Sequence, residues 1–152
     1  MVVHPNRGAF VARFSVAEVE EIYDLRRLLE CDLLARAVPR MNAVALETAE
    51  TALLASERGA SGPRWSELDD LFHAALYTPA ARLRQLGMVS GLRGAVRRYR
   101  AGHKALPAQT EAWLHDHRAI LAACRAGDTT EALGLLSNHL ERAGRLVLSA
   151  LN

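Results

Sequence analysis

The chain is poor in several things at once, and each shortage removes a class of protein. Phe, Tyr and Trp together make up 5% of its 152 residues, too few for an aromatic-rich β architecture. There are two cysteines, Cys31 and Cys124, far apart in apolar helical stretches. They read as buried reduced thiols, not as a disulfide framework. No apolar run approaches the ~18 residues of a membrane span, and no charged-then-apolar start suggests a signal peptide. The expectation is a cytoplasmic protein with no membrane partner. Net charge is only +2 and mixed along the chain, so no concentrated basic face argues for nucleic acid. What is abundant is Ala, Leu, Arg and Glu, which favour helix.

The opening residues stand apart. Val2-Val3, then His4-Pro5-Asn6-Arg7-Gly8, then Ala9-Phe10-Val11 read as strand, turn and strand. From Ser15 onward the pattern is helix and short loop. Ser15 and Glu18 form a capping box, and Val16, Val19, Ile22, Tyr23, Leu25, Leu28, Leu29 and Leu33 follow at helical spacing. Pro39 ends that helix, and a second runs from about Asn42 to Glu57. A third covers about Arg64 to Tyr77, and Thr78 with Pro79 caps a fourth that reaches about Arg100, with Gly87 and Gly91 as bending points. Pro107 opens a fifth, closed by Gly127. Asp128 and Glu131 form a second capping box, opening a sixth that runs nearly to Asn152. The spacing predicts an all-α antiparallel bundle of about six helices, with residues 1–13 as a short hairpin-like remnant and 14–152 as the body.

Polar residues on apolar stripes carry the functional signal. On the third helix Trp65, Asp69, Phe72, His73 and Leu76 share a face, so Asp69 and His73 stack one turn apart. Asp70 points elsewhere, with Glu67 and Ala74. On the fifth, Trp113, His117, Ile120, Leu121 and Cys124 form the buried stripe, and on the sixth His139 aligns with Ala132, Leu135, Leu136, Leu140 and Ala143. His117 lies ten residues before Gly127 and His139 twelve after it, so both imidazoles fall ~15–18 Å below the turn at ~1.5 Å per residue. A carboxylate and three imidazoles directed into a bundle make an N₃O metal site for Zn²⁺, Ni²⁺, Co²⁺ or Mn²⁺. His4, His103 and His115 read as exposed. Arg93, Arg97 and Arg100 recur along the fourth helix, either as a solvated face or as guanidiniums that clamp an effector carboxylate. Arg26 has two readings, a pocket cation or the i+4 partner of Glu30.

These residues carry a family resemblance. Pro5-Asn6-Arg7-Gly8-Ala9-Phe10-Val11, Ser15 to Glu18, and Asp24-Leu25-Arg26-Arg27-Leu28-Leu29-Glu30 resemble the wing-to-sensor junction of GntR-type transcription regulators of the FadR branch. Asp69-Asp70-Leu71-Phe72-His73 resembles that family's D-x-x-F-H motif. Asp116-His117-Arg118-Ala119-Ile120-Leu121 resembles its E-H-x-x-I-L segment, and Gly127-Asp128 followed by Asn138-His139-Leu140 its final motif. The resemblance implies a C-terminal effector-binding FCD domain, with a divalent metal on Asp69, His73, His117 and His139. It also implies a small carboxylic or sugar acid as effector, with Arg26 among its contacts, and a homodimer.

A helix-turn-helix that binds operator DNA should precede Val2 and does not, so a truncated chain or a sensor without its own DNA-binding part is expected, with weak or no DNA binding. The leading function is thus ligand sensing for transcription regulation and not catalysis. The alternatives are a metal-dependent hydrolase or isomerase and a purely structural metal. No inward-facing Glu or Asp beyond Asp69 offers itself as a general base.

Overall fold

In a computed structural model of the chain, residues 2–4, 8–10, 14–101 and 107–151 are described. Two short strands, β1 (Val2–His4) and β2 (Gly8–Phe10), pair antiparallel with Val2 opposite Phe10. The turn expected at Pro5 to Arg7, and Val11, lie outside the described residues. Six α-helices follow: α1 (Val16–Ala37), α2 (Ala43–Arg58), α3 (Trp65–Tyr77), α4 (Leu83–Ala101), α5 (Pro107–Arg125) and α6 (Thr129–Ser149). The all-α class and the helix count agree with the sequence pattern.

Local chemistry explains most helix ends. The Ser15 hydroxyl accepts from the Glu18 amide at 3.1 Å while the Glu18 carboxylate accepts from the Ser15 amide at 3.2 Å, so both halves of the capping box form. The Asn42 side chain caps α2 through the Ala45 amide. Pro39 lies in a single 3-10 turn, Val38–Arg40, that finishes α1. Gly127 adopts φ 71°, the left-handed conformation that glycine takes without strain, and turns α5 back onto α6.

Two caps differ from expectation. Thr78 does not start α4: its hydroxyl donates to the Ala74 carbonyl at 2.7 Å and its backbone is helical. It therefore prolongs α3 into a 3-10 turn, Thr78–Ala80. Pro79 sits inside that turn, and α4 begins only after Ala81 has reversed the chain with φ 55°. At α6 only half of the second box forms. Asp128 caps the Glu131 amide at 3.1 Å, but its own amide donates to the Ala123 carbonyl.

Packing centres on α1, which touches α6, α4 and α3, while α2 pairs with α3 and α5 with α6. The main core holds Leu33, Leu34, Leu53, Phe72, Leu76, Ile120, Leu136 and Leu140. Smaller clusters form around Val19, Tyr23, Val96 and Val147 and around Trp65, Trp113 and Leu114. Leu25 and Leu28, placed on the apolar stripe of α1 by sequence, are exposed at 38% and 70%. Here the buried stripe runs instead through Val19, Tyr23, Arg26, Glu30, Leu33 and Ala37, alternating steps of four and three residues. Helix α1 thus carries an arginine and a glutamate into the interior. Among the described residues no helix is long and apolar enough to cross a membrane.

Candidate metal centre

Three helices deliver the polar core. His73 and Asp69 come from α3, His117 from α5 and His139 from α6, and all three histidines are buried. The His73 and His117 Nε2 atoms lie 3.2 Å apart, and those of His117 and His139 3.3 Å. Asp69 Oδ1 is 3.2 Å from His117 Nε2 and 3.5 Å from His73 Nε2. The matched heights inferred for His117 and His139 are what bring them together. His115, as expected, is exposed; the side chains of His4, His103 and Arg100 lie outside the described residues.

The outer hydrogen bonds decide what these nitrogens can do. Tyr77 gives its one hydroxyl proton to Glu30 Oε1 at 2.7 Å, so toward His73 Nδ1, 3.2 Å away, its oxygen accepts. His73 therefore carries its proton on Nδ1, leaving a lone pair on Nε2. His139 Nδ1 donates to Asp116 Oδ2 at 3.0 Å, which likewise turns the Nε2 lone pair inward. His117 Nδ1 is buried with no hydrogen-bond partner among the described residues. Three Nε2 atoms and a carboxylate oxygen thus face one another with at most one proton among them.

Burial pushes the His73 imidazole down to about 4 and His117 well below its ordinary value, the nearby Arg93 charge acting in the same direction on both. Both are neutral imidazoles at neutral pH. Burial alone would raise Asp69, but His73, once protonated at low pH, and the Arg93 charge hold it well below the usual carboxylate range. A cation at the centre would resolve the lone-pair repulsion. The separations from His117 Nε2 and Asp69 Oδ1, 3.2–3.5 Å, lie near the edge of about 3.3 Å of a tetrahedron with arms of about 2.0–2.1 Å, and the three imidazoles all lie within 4.8 Å of one another. The donor set fits a divalent transition metal on these residues.

The arginines divide. Arg93 is buried and reaches three carboxylates: its Nε donates to Asp70 Oδ1 at 2.9 Å, NH1 to Glu30 Oε1 at 2.8 Å and NH2 to Asp69 Oδ2 at 2.8 Å. Arg97 is half exposed and pairs with the other Asp70 oxygen. Asp70 was expected to point elsewhere; it belongs to this network, because α4 crosses α3 on the side where Asp70 projects. Arg26 proves to be the ion-pair partner of Glu30, Nε to Oε2 at 2.8 Å, with its guanidinium 4.8 Å from the Tyr23 ring centre. It also borders the cavity. That cavity, about 30 Å³, is bounded by Arg26, Asp69, Asp70, Arg93, Arg97 and His139 among others.

Two buried acids escaped the sequence. Glu30 is 0% exposed; burial would raise it, but Arg26 and Arg93 outweigh that and hold it at about 2. The four-three spacing of α1 runs through it and could have revealed it. Asp116 is buried beside His117 and takes Arg142 at 2.6 Å as well as His139. Burial would raise it and its bond to His139 lowers it, leaving it below the ordinary value. Its place three residues after Trp113 and four before Ile120 was the available signal. Both acids face inward, but each is committed to its own partners, Glu30 to Arg26, Arg93 and Tyr77 and Asp116 to His139 and Arg142.

Comparison with known proteins adds the family. Residues 21–142 match the FCD domain. No curated protein matches the chain. Among solved structures, E. coli McbR/YncC superposes with a TM-score of 0.85 at 19% identity, covering 99% of this chain and 77% of that one. A GntR-family transcriptional regulator from Pseudomonas syringae pv. tomato str. DC3000 gives 0.76 at 24%, with 99% and 64% covered. Streptococcus agalactiae GntR gives 0.72 at 20%, with 84% and 58% covered. The chain thus spans less than two thirds of the last two.

Proposed function

Because the chain belongs to the FCD-domain family, we propose that it is the effector-sensing module of a metabolite-responsive GntR-type transcription regulator. In this reading a divalent metal is held by Asp69, His73, His117 and His139, and a small carboxylic or sugar acid is bound beside it. The observation that carries it is the convergence of three buried Nε2 atoms and the Asp69 carboxylate with at most one proton among them. Such an ion supplies open coordination positions for a carboxylate oxygen. The chain's own residues do the rest. Tyr77 and Asp116 fix the rings of His73 and His139, and Arg26, Arg93 and Arg97 supply positive charge along the adjoining cavity.

Residues 14–152 form the sensing body. In a full-length protein it would sit as a homodimer behind winged helices that bind operator DNA, and effector binding would alter their spacing. Catalysis has less support. The two further buried acids are committed, Glu30 to Arg26, Arg93 and Tyr77, and Asp116 to His139 and Arg142, so neither is free to take a substrate proton. A purely structural metal leaves the arginine-lined cavity unexplained. The test is to titrate metal-loaded protein with a broad panel of organic acids, following heat and melting temperature. Binding by at least one acid, lost on stripping the metal, is expected; a panel with no binder contradicts the reading.

A further inference from the structure

Asp70 is the one acid at the site without a second duty. Glu30 is fully buried and also holds Arg26 and Tyr77, and Asp69 faces the imidazoles. The Asp70 side chain is 25% exposed at the edge of the cavity, and its two oxygens are spent on Arg93 and Arg97. Three arginines, Arg26, Arg93 and Arg97, face three carboxylates, Glu30, Asp69 and Asp70, so this polar wall is neutral by itself. The cavity, at about 30 Å³, has room for about two waters, less than any carboxylic acid of several carbons needs. An acid of that size would have to displace a group already there, and of the three carboxylates Asp70 is the most exposed, with Arg93 keeping Glu30 and Asp69 when it leaves.

We propose that Asp70 is a built-in competitor. It stands on Arg93 and Arg97 where the distal carboxylate of a dicarboxylic acid binds, so the effector is a dianion whose affinity is set by expelling Asp70. The proposal rests on the reading above, in which the acid's other carboxylate meets the metal centre. The charge count favours a dianion: with Asp70 expelled, the three arginines and a divalent ion against Glu30 and Asp69 leave +3, of which a dianion cancels two charges and a monocarboxylate one. Breaking the Asp70 contacts also loosens α4 from α3, leaving the Arg93–Asp69 bond as the remaining tie between these side chains.

The experiment compares zinc-loaded wild type with Asp70→Asn by calorimetry, using malonate, succinate and glutarate against acetate and butyrate. Asp70→Asn is expected to bind its best diacid about tenfold tighter, the scale of one charge-assisted hydrogen-bonded contact no longer to be displaced. The monoacids should change by less than about threefold. Arg97→Gln should weaken the diacid and leave the monoacids alone. Should Asp70→Asn fold poorly, Asp70→Ser removes the same charge and is read the same way. If wild type binds an acid but removing the Asp70 charge leaves affinity unchanged or lower, the competitor role is refuted while the sensor reading stands. Equal gains for monoacids and diacids overturn the distal-carboxylate assignment. Failure of every protein to bind any acid removes the sensor reading, and this proposal with it.

Discussion

Replacing Glu30 by Gln should be the most damaging single-atom-scale change available in this chain. The carboxylate is 0% exposed and accepts from Arg26 Nε at 2.8 Å, Arg93 NH1 at 2.8 Å and the Tyr77 hydroxyl at 2.7 Å. Gln removes the negative charge and presents an amide NH₂ to a guanidinium that also only donates. Arg93 keeps Asp69 and Asp70, but Arg26, 6% exposed, loses its carboxylate partner. Stranding a buried charge costs about 3–5 kcal/mol. With a urea slope of about 2 kcal/mol per molar, the unfolding midpoint of metal-free protein should fall by about 2 M.

Arg26→Leu should cost less, about 1–3 kcal/mol, because Glu30 then retains two donors. Equilibrium urea denaturation followed by circular dichroism measures both. A Glu30→Gln midpoint within about 0.5 M of wild type, or a larger loss for Arg26→Leu, would refute the reasoning that Glu30 is the node of the buried network.

Three further outcomes follow from the same geometry. Asp116→Ala should weaken zinc binding by about 10–100-fold, measured by competition with a chromophoric chelator, because the His139 ring loses the acceptor that orients it; unchanged affinity would contradict that role. Metal-free protein should lose stability on acidification. The unfolded chain takes up a proton near 6.5 and folded His73 only at about 4, so the contribution is complete above 6.5 and lost as pH falls toward 4. That difference is worth up to about 3 kcal/mol, with His117 acting in the same direction, and urea melts flat between pH 7 and 4.5 would argue against it. Gly144→Ala should lower the melting temperature, since a Cβ there would lie 3.0 Å from Tyr23 Cγ. Forcing that ring aside costs about 1–3 kcal/mol, and an unchanged melting curve would show that α1 and α6 are less tightly fitted.

Much of the candidate site was legible because its four residues obey simple periodicities. Asp69 and His73 are one turn apart on α3, and His117 and His139 are nearly equidistant from the Gly127 turn, so helix geometry alone brings them together. The first helix was harder. Because α1 is enclosed by α3, α4 and α6, apolar residues occur around most of its circumference, and no single amphipathic face marks the phase. Leu25 and Leu28 were therefore drawn onto the buried stripe and Glu30 left off it. Asp70 was misplaced for a different reason: its partners Arg93 and Arg97 lie on another helix, and only the crossing of α4 over α3 determines that they meet. At Thr78 the cap chemistry was right in type but served the wrong helix, since a threonine hydroxyl satisfies a carbonyl behind it as readily as an amide ahead.

The central claim is that His73, His117, His139 and Asp69 share one ion. X-ray absorption at the zinc edge of the zinc-loaded protein tests it most directly. The account predicts a first shell of nitrogen and oxygen at about 2.0–2.1 Å with outer-shell scattering from three imidazoles, reduced to two in His139→Ala. A shell of oxygen alone, a sulfur at about 2.3 Å, or imidazole scattering unaffected by His139→Ala would contradict it.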